Sequence, residues 1–137
     1  MSRSARSATP SEAISPRLLR AYRLTRYRAG GYEIRIGRQA PDALFAAIRS
    51  RDGTLLTAWN PFSRRMPDGW NERMQRRLRL RLRRCVVLEA KGSLHGWREA
   101  MLLVVGPVAP RIALARQFRQ SAVVMLQRGR PARLVLL

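Results

Sequence analysis

The sequence predicts an α+β fold, a single mixed or antiparallel sheet of five or six strands packed against about three helices. Short apolar runs such as Met101–Val105 and Ala122–Leu126 have the length of buried strands and recur along the chain. Between them, prolines and glycines stand where helices start and turns close. A chain of 137 residues also suits one hydrophobic core and leaves no room for a second. The expected organisation is a flexible basic N-terminal tail over residues 1–17 and one α+β domain over 18–137.

Each element follows from a local pattern. Leu18 to Tyr32 reads as a short helical or extended lead-in stopped by Gly30 and Gly31. Tyr32, Ile34 and Ile36 alternate with Glu33 and Arg35, the period of a half-buried strand. Pro41 suits a first helical turn, Leu44, Ala47 and Ile48 follow at helical spacing, and Gly53 offers a stop. Thr54 to Trp59 reads as a strand closed by Asn60-Pro61, because the residue before proline is pushed towards extended geometry.

Asp68 to Arg84 fits two periods. Leu78, Leu80 and Leu82 alternate as in a strand, yet at 100° per residue Met74, Leu78, Leu82 and Cys85 share one narrow stripe. We read a helix with Asp68 as its N-cap and Leu80 misplaced. Cys85 to Ala90 is then a strand, Lys91 to Gly96 a turn, and Trp97 to Val105 another strand ended by Gly106-Pro107. Pro110 opens a helix carrying Leu114, Ala115 and Phe118, and Ala122–Leu126 and Arg133–Leu137 flank a turn as a β-hairpin.

Composition excludes several classes. No apolar run approaches the about 20 residues that a membrane span needs. A single cysteine, Cys85, forms no internal disulfide, and with one histidine, His95, it supplies no zinc set. The first sixteen residues lack the apolar stretch of a secretory signal, although their Ser, Ala and Arg content would also suit a transit peptide. These features favour a cytoplasmic protein, and no cofactor is expected.

Charge is the strongest compositional signal, with 28 basic residues against 8 acidic ones and a net charge of +20. Lys91 is the one lysine. Codon bias exchanges lysine for arginine but does not remove Asp and Glu, and like charges on a small body repel unless an anion offsets them. Arg73, Arg76, Arg77, Arg79, Arg81, Arg83 and Arg84 crowd one predicted helix, with no acidic residue among its positions 73–84. Guanidiniums grip phosphates through paired hydrogen bonds, and neutralising several phosphates releases counterions. That face therefore suits RNA, another nucleic acid or a ribonucleoprotein surface; the competing reading is a solvated helix face. Trp59, Phe62 and Trp70 stand near enough in sequence to stack on bases, or to fill a core. No established nucleic-acid motif accompanies them.

A second set is polar: Thr57 and Asn60 at a strand end, Asn71 at a helix start, Glu99 and Gln120. The motifs Thr57-Ala58-Trp59-Asn60-Pro61, Trp97-Arg98-Glu99 and Phe118-Arg119-Gln120-Ser121-Ala122-Val123, in this order, resemble a small bacterial family known as a domain of unknown function. The resemblance spans residues 19 to 137 and includes Tyr22 and Tyr27. It implies no activity, but marks Thr57, Asn60, Asn71, Glu99 and Gln120 as recurrent polar positions. The chain departs from that pattern at Arg119, where a glycine is usual, and at Trp70, where an acid is common.

Two functions stay open. The first is non-enzymatic polyanion binding by the arginine helix, since no catalytic signature emerges: no nucleophile elbow is present, and Lys91-Gly92-Ser93 lacks the spacing of a phosphate loop. The alternative is small-molecule or nucleotide binding or processing in a pocket of Thr57, Asn60, Asn71, Glu99 and Gln120, with Glu99 as general base aided by His95. For each polar residue a structural role competes: Asn60 capping its own turn, Asn71 supporting the helix start with Asp68, Glu99 pairing with an arginine.

Overall fold

The structure, a computed structural model, describes residues 14–137. The expected tail falls mostly outside these residues, and its last two positions, Pro16 and Arg17, already belong to a helix. In chain order the elements are α1 (Pro16–Leu24), β1 (Arg26–Ala29), β2 (Tyr32–Ile34), α2 (Asp42–Ile48) and β3 (Asp52–Leu56). A 3-10 turn (Pro61–Ser63), α3 (Asp68–Arg81), β4 (Val87–Leu94), β5 (Trp97–Val105), α4 (Ala109–Gln117), β6 (Ala122–Gln127) and β7 (Arg133–Leu136) follow.

The seven strands form one antiparallel sheet in the order β2-β1-β4-β5-β3-β6-β7. Its two ends meet. The chain leaving β2 pairs with the chain entering β7, where the Gly37 N–H donates to the Ala132 carbonyl at 2.8 Å and the Ala132 N–H to Arg38 at 2.9 Å. The sheet is therefore curled, and these isolated bridges tie the chain beyond β2 to the chain ahead of β7.

Both faces of the central strands are buried, which explains why Met101–Val105 is continuously apolar instead of alternating. Leu55, Leu103, Val124 and Leu126 pack with Leu44, Phe45 and Ile48 of α2. Their neighbours Leu56, Leu102, Val104 and Val123 point the other way, onto Leu78 of α3, Leu82 at its C-terminal cap, and Leu114 and Ala115 of α4. Burying a leucine side chain contributes roughly 2 kcal/mol, so this double layer is the main source of rigidity behind the strand ends.

The sheet has seven strands where five or six were expected, and four helices where about three were. The lead-in accounts for the difference, because it is helical and extended in succession. Ser15 caps α1 by accepting from the Leu18 N–H, Pro16 occupies the first turn, and Thr25 ends the helix. The chain then runs straight into β1. Gly30 and Gly31 are not a stop but a two-residue hairpin turn, both with positive φ, as the primed turns that match strand twist require.

Three boundaries also shift. Asp68 is the first residue of α3 rather than its cap; Pro67 holds that position and no side chain caps the helix. The helix ends at Arg81, leaving Arg83 and Arg84 in the following turn. The turn expected over Lys91 to Gly96 contracts to His95-Gly96, so β4 continues to Leu94, opposite Trp97. The stripe assignment for α3 holds: Leu78 and Leu82 are buried, Met74 and Cys85 pack partly against them, and Leu80 is 64% exposed.

Candidate functional site

The polar residues come from four element ends that meet at one rim of the sheet. β3 runs out through Thr57 and Trp59 to Asn60, α3 begins three residues before Asn71, β5 brings Glu99 three residues after the hairpin turn, and Gln120 follows α4. Asn60 and Asn71 lock together. The Asn71 Oδ1 accepts from the Asn60 N–H at 2.9 Å, and the Asn71 Nδ2 donates to Asn60 Oδ1 at 2.9 Å and to the Met66 carbonyl. Asn60 Oδ1 also accepts from the Met66 N–H. Asn71 therefore clamps the loop ahead of α3 instead of capping the helix with Asp68.

The clamp leaves the Asn60 amide nitrogen free to donate to Glu99 Oε2 at 3.1 Å. Glu99 is partly buried and forms no ion pair with any described residue, so the competing structural role, pairing with an arginine, is absent among them. Burial pushes its carboxyl up from 4.5 to about 8, and the Asn60 hydrogen bond only partly offsets this. At neutral pH the group therefore holds its proton and offers a donor as well as acceptors.

Gln120 turns its amide nitrogen inward to the Trp59 and Phe118 carbonyls. Thr57 is not at the surface of the site; its hydroxyl lies 2.6 Å from the Ala100 carbonyl and accepts from the Trp59 N–H. Beside it, Gln75 accepts from the Ala58 N–H at 2.9 Å. Sequence reasoning missed Gln75, although it shares the buried stripe of α3 with Asn71, Leu78 and Leu82. A polar side chain on an apolar stripe was the available signal. The Gln75 Nε2 and the Trp59 Nε1 are buried without hydrogen-bond partners among the described residues.

Over this floor lies α1. A recess of about 300 Å³ forms beneath it, with Asn60, Glu99 and Gln120 on one side, Tyr22 above, and Trp97 and Arg65 as walls. The Tyr22 hydroxyl stands 3.4 Å from Ser63 Oγ, which is 3.3 Å from Ser121 Oγ. Burial raises the Tyr22 pKa, so the phenol stays protonated. A second recess of about 510 Å³ continues past Asn60, Arg65 and Trp97 towards Asn71. His95 lines that neighbour rather than the Glu99 recess.

Backbone strain gathers around the same loops. Asn60, Phe62, Ser63 and Arg119 all have positive φ, a conformation costly for residues with a Cβ. The Phe62 N–H donates to the Arg119 carbonyl at 2.6 Å, tying the two strained segments together. Arg119 follows α4 in a Schellman arrangement, its N–H donating to Arg116 and the Gln120 N–H to Ala115. That geometry suits glycine best, which gives a physical reason for a glycine to be usual there.

All seven arginines Arg73, Arg76, Arg77, Arg79, Arg81, Arg83 and Arg84 are exposed. Arg79 is neutralised by both carboxylate oxygens of Glu89, and Arg81 donates to Gln117 at 2.7 Å. Among the described residues the others form no ion pair. Of the candidate stacking aromatics, Phe62 is exposed while Trp59 and Trp70 are partly buried. No group of three potential metal ligands is gathered among the described residues, and no described helix is long and apolar enough to cross a membrane.

No curated protein and no solved structure matches the chain. Residues 56–123 match the family model described as "Protein of unknown function (DUF3293)". The matched segment holds Thr57, Asn60, all of α3, Glu99 and Gln120, and over these residues the chain is similar to that domain-of-unknown-function family.

Proposed function

We propose that this protein is a binding domain whose recess beneath α1 takes a small molecule with a planar hydrogen-bonding edge, of the kind a nucleobase or an amide presents. One observation carries the reading. A chain with 28 basic residues leaves Glu99, one of only 8 acids, in a recess with one hydrogen bond and no ion-pair partner among the described residues. A carboxyl kept neutral by burial in a cleft is a common mark of a functional site.

The chemistry of the lining fits such an edge. The protonated Glu99 offers a donor and an acceptor side by side, and the Gln120 Oε1 adds an acceptor because its nitrogen is already engaged. Leu94 and Trp97 supply apolar wall, and a few polar groups in an apolar cleft are what orient a small ligand. Asn60, Asn71 and Thr57 are spent on holding the floor in place.

Uncharged nucleosides test the idea without engaging the arginines. Titrating the full chain with each of the four, observed by amide NMR, should give saturable shifts at Asn60, Glu99 and Gln120 that vanish in Glu99→Ala. Saturation by none of them would remove the nucleobase reading.

A second reading rests on α3, where six of seven arginines lack a carboxylate partner among the described residues. In it, RNA or another polyanion docks on the exposed helix face. Affinity for single-stranded RNA should then fall steeply with salt, and Arg76→Gln with Arg77→Gln should flatten the slope by about one per lost contact. The ultraviolet absorbance ratio of protein purified at low salt gives an early check, and binding indifferent to salt would count against this second role.

A further inference from the structure

The curl of the sheet creates a feature that neither reading uses. In the β1–β4 ladder Arg26 stands opposite Ser93, and in the β4–β5 ladder Ser93 stands opposite Arg98. On the outer side Ile34 stands opposite Tyr27, so Arg35, one residue beyond β2, falls beside Arg26. Arg35, Arg26, Ser93 and Arg98 thus form one row across four adjacent chain segments. All four line a concavity of about 570 Å³ that also contains His95 and Trp97 and has no carboxylate in its lining.

Such a row is expensive. Like charges directly opposite on neighbouring strands destabilise a sheet, and strands lie only about 5 Å apart. Yet none of the three arginines forms an ion pair among the described residues. The Arg35 Nε is buried and has no hydrogen-bond partner among the described residues. An unpaired guanidinium N–H withdrawn from water is a donor still lacking its acceptor.

We propose that Arg26, Arg35 and Arg98, with the Ser93 hydroxyl between them, form a seat for one compact oxyanion, the phosphate of a phosphate monoester. A monoester carries close to two charges at neutral pH and three acceptor oxygens, so neighbouring guanidiniums converging on a single group satisfy it. This distinguishes the seat from α3, whose arginines are spread along an exposed helix. The proposal stands independently of the Glu99 recess, although Leu94 and Trp97 wall both spaces.

Inorganic phosphate is the probe, titrated calorimetrically into the full chain at fixed ionic strength. We expect one saturable site, weakened about tenfold or more by each of Arg26→Gln, Arg35→Gln and Arg98→Gln. Arg116→Gln, on α4, removes the same charge at an exposed position and should leave the affinity within about twofold. Equal weakening by that control would mean that net charge alone attracts the anion, and the proposal fails. Ser93→Asp supplies an internal counter-charge; it should raise the melting temperature and abolish phosphate binding, whereas unchanged binding overturns the assignment. An oligonucleotide without terminal phosphate should compete poorly. If its diester backbone displaces phosphate as well as a monoester does, the seat belongs to a nucleic-acid track and the monoester assignment falls.

Discussion

Replacing Glu99 by glutamine tests whether burial or pairing governs the recess. In the unfolded chain the carboxyl loses its proton near 4.5, and in the folded protein near 8. Between these values the folded state holds a proton that the unfolded state has released, so stability falls as pH rises, by at most about 1.4 kcal/mol per pH unit. The contribution is fully present below 4.5, lost progressively up to about 8, and flat beyond. The full shift corresponds to about 5 kcal/mol. Because Glu99 keeps part of its surface in water, we expect roughly half of that. Glutamine keeps an oxygen for the Asn60 amide to donate to but cannot ionise. Urea denaturation of both proteins between pH 5 and 9 should give difference curves that widen with pH, glutamine being the more stable at pH 9. Subtraction removes every other titrating group. Parallel profiles would show that the carboxylate ionises in the recess without cost, and would remove the case for a neutral Glu99.

Two further substitutions probe the frame of the site. Asn71→Ala strips the Asn60 N–H of its acceptor and Asn60 Oδ1 of one donor in a buried place, and should cost about 2 to 4 kcal/mol by chemical denaturation; a loss below about 0.5 kcal/mol would mean that the clamp is loose. Arg119→Gly places the residue without a Cβ at a left-handed position and should raise stability by about 0.5 to 1 kcal/mol, read as an increase in melting temperature. A decrease would show that the Arg119 side chain makes a contact worth more than the strain.

Local pattern was enough for some of this. α3 was legible because Leu78 and Leu82 recur at helical spacing and the side opposite them is charged; the exposed Leu80 is the cost of that choice. The convergence of Asn60, Asn71, Glu99 and Gln120 followed from their standing at element ends. β1 was not legible, since Arg26-Tyr27-Arg28-Ala29 is only four residues long and joins a helix almost without a break. Its strand character comes from pairing with β4 and from the burial of Tyr27 and Ala29. The meeting of the sheet ends at Gly37 and Ala132, and the row of arginines, depend on register between segments far apart in the chain, which no local period encodes.

The elevated Glu99 pKa is surprising in so basic a protein, because nearby cations favour the ionised form of a carboxyl. Twenty surplus charges fail to have this effect because of where they stand. The α3 guanidiniums reach into water, where ionic screening confines each to about 8 Å at physiological salt. Arg65, which shares the recess wall, forms no ion pair with Glu99. Desolvation by α1, Trp97 and the strand ends therefore dominates inside the recess, while the arginine field dominates outside it. The two environments are electrostatically separate. A neutral ligand in the recess thus gains little from the surface charge, and an anion on the surface little from Glu99. Any ligand drawing on both must bridge them at Leu94 and Trp97, the wall common to the recess and to the row of Arg26, Arg35 and Arg98.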